Sequence, residues 1–169
     1  TPIKSSAASD VYKRQDLYRK GYRGVIFDID NTLVPHGAPA TKEAAAFFAS
    51  LRETGFSTCL LSNNQKPRVA PFADAVGSIY IENAHKPSVK NYQEACRRMG
   101  IKEEQAVFVG DQLFTDVYGA KRTGLYNILT EPINPKEEIQ IVLKRYLEHI
   151  VLFFYERDLA RGRITKKNS

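Results

Sequence analysis

The stretch VIFDIDNTL, residues 25–33, constrains the fold more than any other part of the chain. Three apolar residues lead into Asp28, and Asp30, Asn31 and Thr32 follow. The apolar run is short, with β-branched and aromatic side chains, and reads as a buried parallel strand over about 25–29. Its C-terminal end presents two carboxylates two residues apart, where the chain leaves the sheet. In open α/β sheets ligands bind at that edge. Two buried acids cost stability unless a cation or a hydrogen-bond network holds them. The pair therefore points to a Mg²⁺ site, or to a nucleophile beside a general acid.

Strand and helix signals alternate from here onward. Further strands are expected over 57–61, 78–81, 106–109 and 125–129. Helices are expected over 41–54, with Thr41 as N-cap and Gly55 as stop, and over 67–75, with Pro67 in the first turn. Two more are expected from Ser88 to Gly100 and over 113–123, stopping at Gly124. A long helix over about 135–158 closes the chain. Five strands alternating with helices indicate an α/β fold with a parallel, doubly wound sheet. Residues 1–15 lack apolar periodicity and read as a disordered or non-native segment. The expected domain covers 16–158, and 159–169 form a basic tail.

The net charge of +6 belongs to the ends. Residues 1–24 carry six Lys/Arg against two Asp, and 157–169 carry five against one. The body, 25–156, carries fourteen against sixteen Asp/Glu, so no basic stripe crosses it and a nucleic-acid partner is not expected. Cys59 and Cys96 lack metal-ligand spacing and read as reduced core thiols, which fits a cytoplasmic protein. No run of about 18 apolar residues suggests a membrane span.

Four polar clusters follow four of the strands. They are Asp28, Asp30 and Thr32; Ser62-Asn63-Asn64; Lys86 in AHKPS; and Asp111 with Asp116 in GDQLFTD. Each residue type suits phosphoryl transfer. Asp28 and Asp111 are candidate Mg²⁺ ligands, with Asp30 beside them. Asp28 is also the candidate nucleophile, and Asp30 the candidate proton donor and acceptor. Ser62, Thr32 and Asn63 are candidates for phosphate oxygens, and Lys86 adds a point charge. Asp116 would orient Lys86 or bound water. Lys66 and Arg68, near a helix start, are candidates for a further anion on the substrate. His36 reads as an exposed loop residue. Each cluster alone has a bland reading as cap, turn or solvated surface; all four in order do not.

This set resembles the haloacid dehalogenase phosphatase superfamily. Its hhhDxDxT pattern is met by Asp28, Asp30 and Thr32, its hhhS/T by Ser62, its lysine by Lys86, and its GDxxxxD by Asp111 and Asp116. FDIDNTLV, LLSNN, AHKP and GDQLFTDV are similar to the capless IIIA subclass, in particular to YqeG-type proteins. The resemblance implies a three-layer Rossmann-like sandwich with strand order 5-4-1-2-3 and no cap domain. It implies Mg²⁺, an aspartyl-phosphate intermediate, and a phosphorylated substrate. Similarity to a mitochondrial phosphatidylglycerophosphate phosphatase makes that lipid the candidate substrate. Spacing independently supports an open site. Only 29 residues separate Thr32 from Ser62 and 23 separate Ser62 from Lys86, each consumed by one helix and one strand.

The last helix carries Ile139, Val142, Leu143, Tyr146, Leu147, Ile150, Val151 and Phe154 at helical spacing, the pattern of a helix covering the sheet. Aromatic residues 153–155 next to the basic tail keep open peripheral attachment to an anionic phospholipid surface at the inner face of the membrane. Two rival functions also stay open: a phosphatase for a phosphoprotein, nucleotide or small metabolite, and a non-catalytic regulatory module on the same scaffold.

Overall fold

The computed structural model describes residues 14–130, 132 and 133. The expected helix over 135–158, the basic tail and residues 1–13 lie outside the described residues. Residues 14–19 are helical. Tyr18 of that helix packs edge-on against Phe56, with ring centroids 5.5 Å apart.

The elements alternate as expected. They are β1 (Gly24–Phe27), α1 (Lys42–Thr54), β2 (Ser57–Leu61), α2 (Lys66–Val76), β3 (Ile79–Ile81), α3 (Val89–Met99), β4 (Ala106–Gly110), α4 (Gly119–Thr123) and β5 (Tyr126–Leu129). All pairings are parallel, in the order β3-β2-β1-β4-β5. That is the expected order. Local chemistry sets the helix ends. Thr41 Oγ1 accepts from the Ala44 amide at 3.1 Å. Gly55, at φ 101°, ends α1 in the left-handed region that a side chain would disfavour.

Strand periodicity divides the core into two layers. Val25, Phe27, Leu60 and Val107 face one side of the sheet, against Phe48 and Leu51 of α1 and Phe72 of α2. Ile26, Cys59, Leu61 and Phe108 face the other, against Tyr92 and Ala95 of α3 and Ala120 of α4. Cys59 and Cys96 are both free and buried, as expected, and burial pushes each thiol up to about 12. β1, β2 and β4 are covered on both faces; the short edge strands are not. β1 lies between β2 and β4, where the winding reverses direction, and this leaves a crevice at the C-terminal strand ends. The interval from Thr32 to Ser62 holds α1 and β2, and that from Ser62 to Lys86 holds α2 and β3. Neither leaves length for a lid. No helix of the described residues is long and apolar enough to cross a membrane.

One element departs from expectation. The segment over 113–123 is not a single α-helix. Leu113–Tyr118 is π-helical and only Gly119–Thr123 is α-helical. The Val117 amide reaches back five residues to the Gln112 carbonyl, at 3.2 Å. The wide turn is pinned from outside by Tyr92, whose hydroxyl donates to the Thr115 carbonyl. Gly119 makes room for that ring: a Cβ there would lie 2.5 Å from the Tyr92 hydroxyl oxygen. Alanine normally favours a helix over glycine by about 1 kcal/mol. At this position we expect the opposite sign. Gly119→Ala should destabilise the protein by about 1–3 kcal/mol through overpacking, read by urea denaturation; a stabilised variant would contradict the packing.

Candidate active site

The four polar clusters converge on the crevice at the strand ends. Asp28 directly follows β1, and its amide still donates to the Val109 carbonyl of β4, at 3.0 Å. The carboxylate is thereby anchored to the sheet by its own backbone. Lys86 enters from the loop after β3. Its Nζ lies 2.6 Å from Asp28 Oδ1 and 2.7 Å from Asp116 Oδ1. All three side chains are buried. The other Asp116 oxygen accepts from the Gln112 amide at 3.1 Å, so the π-turn holds the carboxylate it presents. Gly110 ends β4 without a side chain, and a Cβ there would lie 2.3 Å from Asp116 Oδ2. Asp111, half-buried, accepts from Thr32 Oγ1 at 3.3 Å.

One carboxylate oxygen from each of Asp28, Asp111 and Asp116 lies within 4.8 Å of the others. Three carboxylates here face one ammonium, so the cluster is short of positive charge when all are ionised. Burial pushes the Asp28 carboxyl up to about 7, with Asp116 and Asp111 adding to the rise and Lys86 opposing it. Burial likewise pushes Asp111 up to about 6, reinforced by Asp116. For Lys86 burial works against the charge, but Asp116 and Asp28 outweigh it and hold the ammonium above the usual lysine range. An oxygen-rich, charge-deficient pocket of this kind fits a hard divalent cation.

Asp30 occupies a different place from the one its spacing suggests. The structure puts the Asp116 carboxylate, not that of Asp30, in the cluster with Asp28 and Asp111. Asp30 Oδ1 accepts from the Gly37 amide and from Arg68, each at 2.8 Å, and Oδ2 accepts from Asn64 Nδ2 at 2.6 Å. The reason is backbone direction. The strand ends at Phe27, before either acid, so strand alternation does not carry Asp30 onto the Asp28 side; the chain then turns at Asn31, at φ 63°. Asparagine tolerates that conformation better than most residues.

Ser62, directly after β2, is buried, and its Oγ accepts from the Asn64 amide at 3.1 Å. Asn63, exposed at the same loop, also has partners within the chain. Its side chain brackets the Lys86 main chain, accepting from the amide at 2.7 Å and donating to the carbonyl at 3.4 Å. It thus fixes the base of the lysine. Lys66 stands exposed at the first residue of α2, and His36 is exposed in its loop. Sequence reasoning placed Asn64 in a polar cluster without giving it a role, and missed Tyr92, Gly37 and Gly110. Tyr92 shares a helix face with Ala95 and Cys96, but nothing in that pattern reveals its hydroxyl contact.

A carboxylate held by a lysine at the end of the central strand, with two further acids from the neighbouring strand's loop, forms an acidic cluster at the edge where doubly wound sheets bind ligands. The chain belongs to the haloacid dehalogenase-like hydrolase family, whose family model matches residues 37–124. It is 35% identical over 144 residues to a probable phosphatase, YqeG, of Bacillus subtilis, covering 85% of this chain and 84% of that protein. It is 29% identical to phosphatidylglycerophosphate phosphatase 1 of Arabidopsis thaliana, covering 86% of this chain and 44% of that longer protein. A crystal structure of an uncharacterized Listeria monocytogenes protein shares the fold, with a TM-score of 0.55 at 19% identity, covering 69% of this chain and 84% of that one.

The electrostatics give a signed expectation. Folded Asp28 holds its proton to about pH 7, whereas the ordinary value is 3.8. Between those values the folded state binds more protons than the unfolded one, so this residue costs stability as pH rises. Without divalent cations, the melting temperature of Asp28→Asn minus that of the unaltered chain should therefore grow from about pH 4.5 to about pH 7.5. A flat or shrinking difference would contradict the burial argument.

Proposed function

We propose that this chain is a Mg²⁺-dependent phosphomonoesterase working through an aspartyl-phosphate on Asp28, with phosphatidylglycerophosphate as its substrate and phosphatidylglycerol as its product. The observation that carries the reading is Lys86, bound between Asp28 and Asp116 beside Asp111. That arrangement keeps one Asp28 oxygen oriented and leaves the residue as the attacking group.

Asp28, Asp111 and Asp116 are the residues present to hold the metal. Mg²⁺ would supply charge neutralisation for the phosphoryl oxygens and the carboxylates. The remaining work falls to the chain. An Asp28 oxygen attacks phosphorus as the bond to the leaving oxygen breaks, and Asp30 donates a proton to that oxygen. Asp30 then takes a proton from water attacking the aspartyl-phosphate, which releases phosphate and restores Asp28. Lys86 offsets charge on Asp28 and on the transferring group. Ser62 and Thr32 stand beside the path as donors to phosphate oxygens. The lipid substrate is supported by the name of the Arabidopsis relative and by the lack of length for a lid between the motifs. Peripheral attachment through the C-terminal segment belongs to the same proposal, and that segment lies outside the described residues.

The purified chain should release phosphate from p-nitrophenyl phosphate with Mg²⁺, and lose that activity with a chelator. Asp28→Asn should lower kcat by about a thousandfold or more, a loss of roughly 4 kcal/mol in transition-state stabilisation. Persistent turnover in Asp28→Asn, or turnover that needs no divalent ion, would overturn the mechanism.

A further inference from the structure

Arg68 is bound to the site by one edge only. One amino group of its guanidinium donates to Asp30 at 2.8 Å, and among the described residues that is its one hydrogen-bond partner. Its plane is steadied by the Phe72 ring, 5.5 Å away. Its Nε is buried and makes no hydrogen bond. The side chain keeps 22% of its surface exposed, so it is not sealed in the core. An arginine carries five donors in a fixed fork, and a buried donor without a partner is costly. Lys66 stands exposed one residue pair earlier, and no acidic residue occupies the first turn of α2.

The contact with Asp30 gives this uncommitted arginine a direction. On the reading proposed above, Asp30 hands a proton to the leaving oxygen. A group that touches Asp30 therefore meets the leaving group, not the phosphoryl group being transferred.

We propose that Arg68, assisted by Lys66, binds a second anionic group carried on the leaving group of the substrate. In the substrate proposed above that group is the phosphodiester borne by the same alcohol as the phosphomonoester. Asp30 holds Arg68 in place before the substrate arrives, so little order has to be created on binding. With one edge on Asp30 and the other on the substrate's diester, Arg68 ties recognition of the alcohol to the residue that protonates it. Lys66 adds charge without geometry, and the planar fork of Arg68 supplies the geometry. The inference rests on the phosphomonoesterase reading and its diester-bearing substrate; what it adds is the side chain that recognises the second anion.

The test compares three substrates with the full-length chain: p-nitrophenyl phosphate, phosphatidylglycerophosphate in neutral-detergent micelles, and its deacylated, water-soluble counterpart. The quantity of interest is kcat/KM for each diester-bearing ester divided by that for p-nitrophenyl phosphate. Arg68→Gln should lower this ratio by about tenfold or more, the size of a lost charge-assisted hydrogen bond. Arg68→Lys should lower it less, and Lys66→Ser should lower it by a smaller factor. A ratio that falls for the deacylated ester places recognition in the headgroup itself; a preference for the lipid alone that survives Arg68→Gln overturns the assignment. An equal fall for all three substrates would make Arg68 a positioning residue for Asp30 only, and would also overturn it. Calorimetric binding of the deacylated ester to the Mg²⁺-loaded chain and to Arg68→Gln separates the two levels of the account. If no substrate turns over, the phosphatase reading fails. Weaker binding to Arg68→Gln would still support the anion site, and equal binding would reject it.

Discussion

The whole site depends on one buried cation. The Lys86 ammonium, 2.6 Å from Asp28 and 2.7 Å from Asp116, is what allows two carboxylates to sit out of water at the end of the central strand. Removing one member of such a cluster leaves the others uncompensated, at a cost of about 3–5 kcal/mol. The same lysine leaves the cluster unfinished. One ammonium cannot balance Asp28, Asp111 and Asp116 together, and burial, reinforced by the neighbouring carboxylates, raises the Asp28 and Asp111 carboxyls. The structure thus stores a demand for positive charge where a phosphoester and its metal would arrive.

The surrounding fold serves to hold those few atoms in register. β1 and β4 run side by side, so Asp28 and Asp111 emerge from adjacent strands. The π-turn widens the start of the last described helix until the Asp116 carboxylate folds back onto the Gln112 amide. Gly110 leaves space for that carboxylate and Gly119 leaves space for the ring of Tyr92, which pins the turn. On the opposite side, Asn63 fixes the main chain of Lys86. Each contact is individually modest. Together they restrict three charged side chains to one arrangement, the preorganisation on which electrostatic catalysis relies.

Much of this was legible in the chain itself, and the exceptions have physical causes. Thr41 and Gly55 announced the ends of α1, and the β2 strand runs over the residues its apolar pattern marks, because caps and short apolar runs are local signals. The placement of Asp30 was not legible. Two residues apart on a strand means the same side, but the strand ends at Phe27, and the second acid is held instead by Arg68 of α2, Asn64 and the Gly37 amide. The π-turn was hidden for a similar reason. Its width comes from contacts with Asp116 and Tyr92, and helical periodicity over eleven residues does not report them. Asn63 was assigned to substrate from its position after a strand. Only the folded chain shows its amide facing the backbone of Lys86.

The claim at the centre of the account is that Asp28, oriented by Lys86, takes the phosphoryl group. The most direct measurement is a single-turnover reaction of the full-length chain with a phosphomonoester and Mg²⁺, quenched in acid and mapped by peptide mass spectrometry. The account predicts a transient phosphoryl group on the peptide containing Asp28 that survives a brief mild-acid quench and is released by hydroxylamine, as an acyl phosphate is. A turnover that proceeds with no phosphorylated peptide, or with the group on another residue such as Ser62, would contradict it.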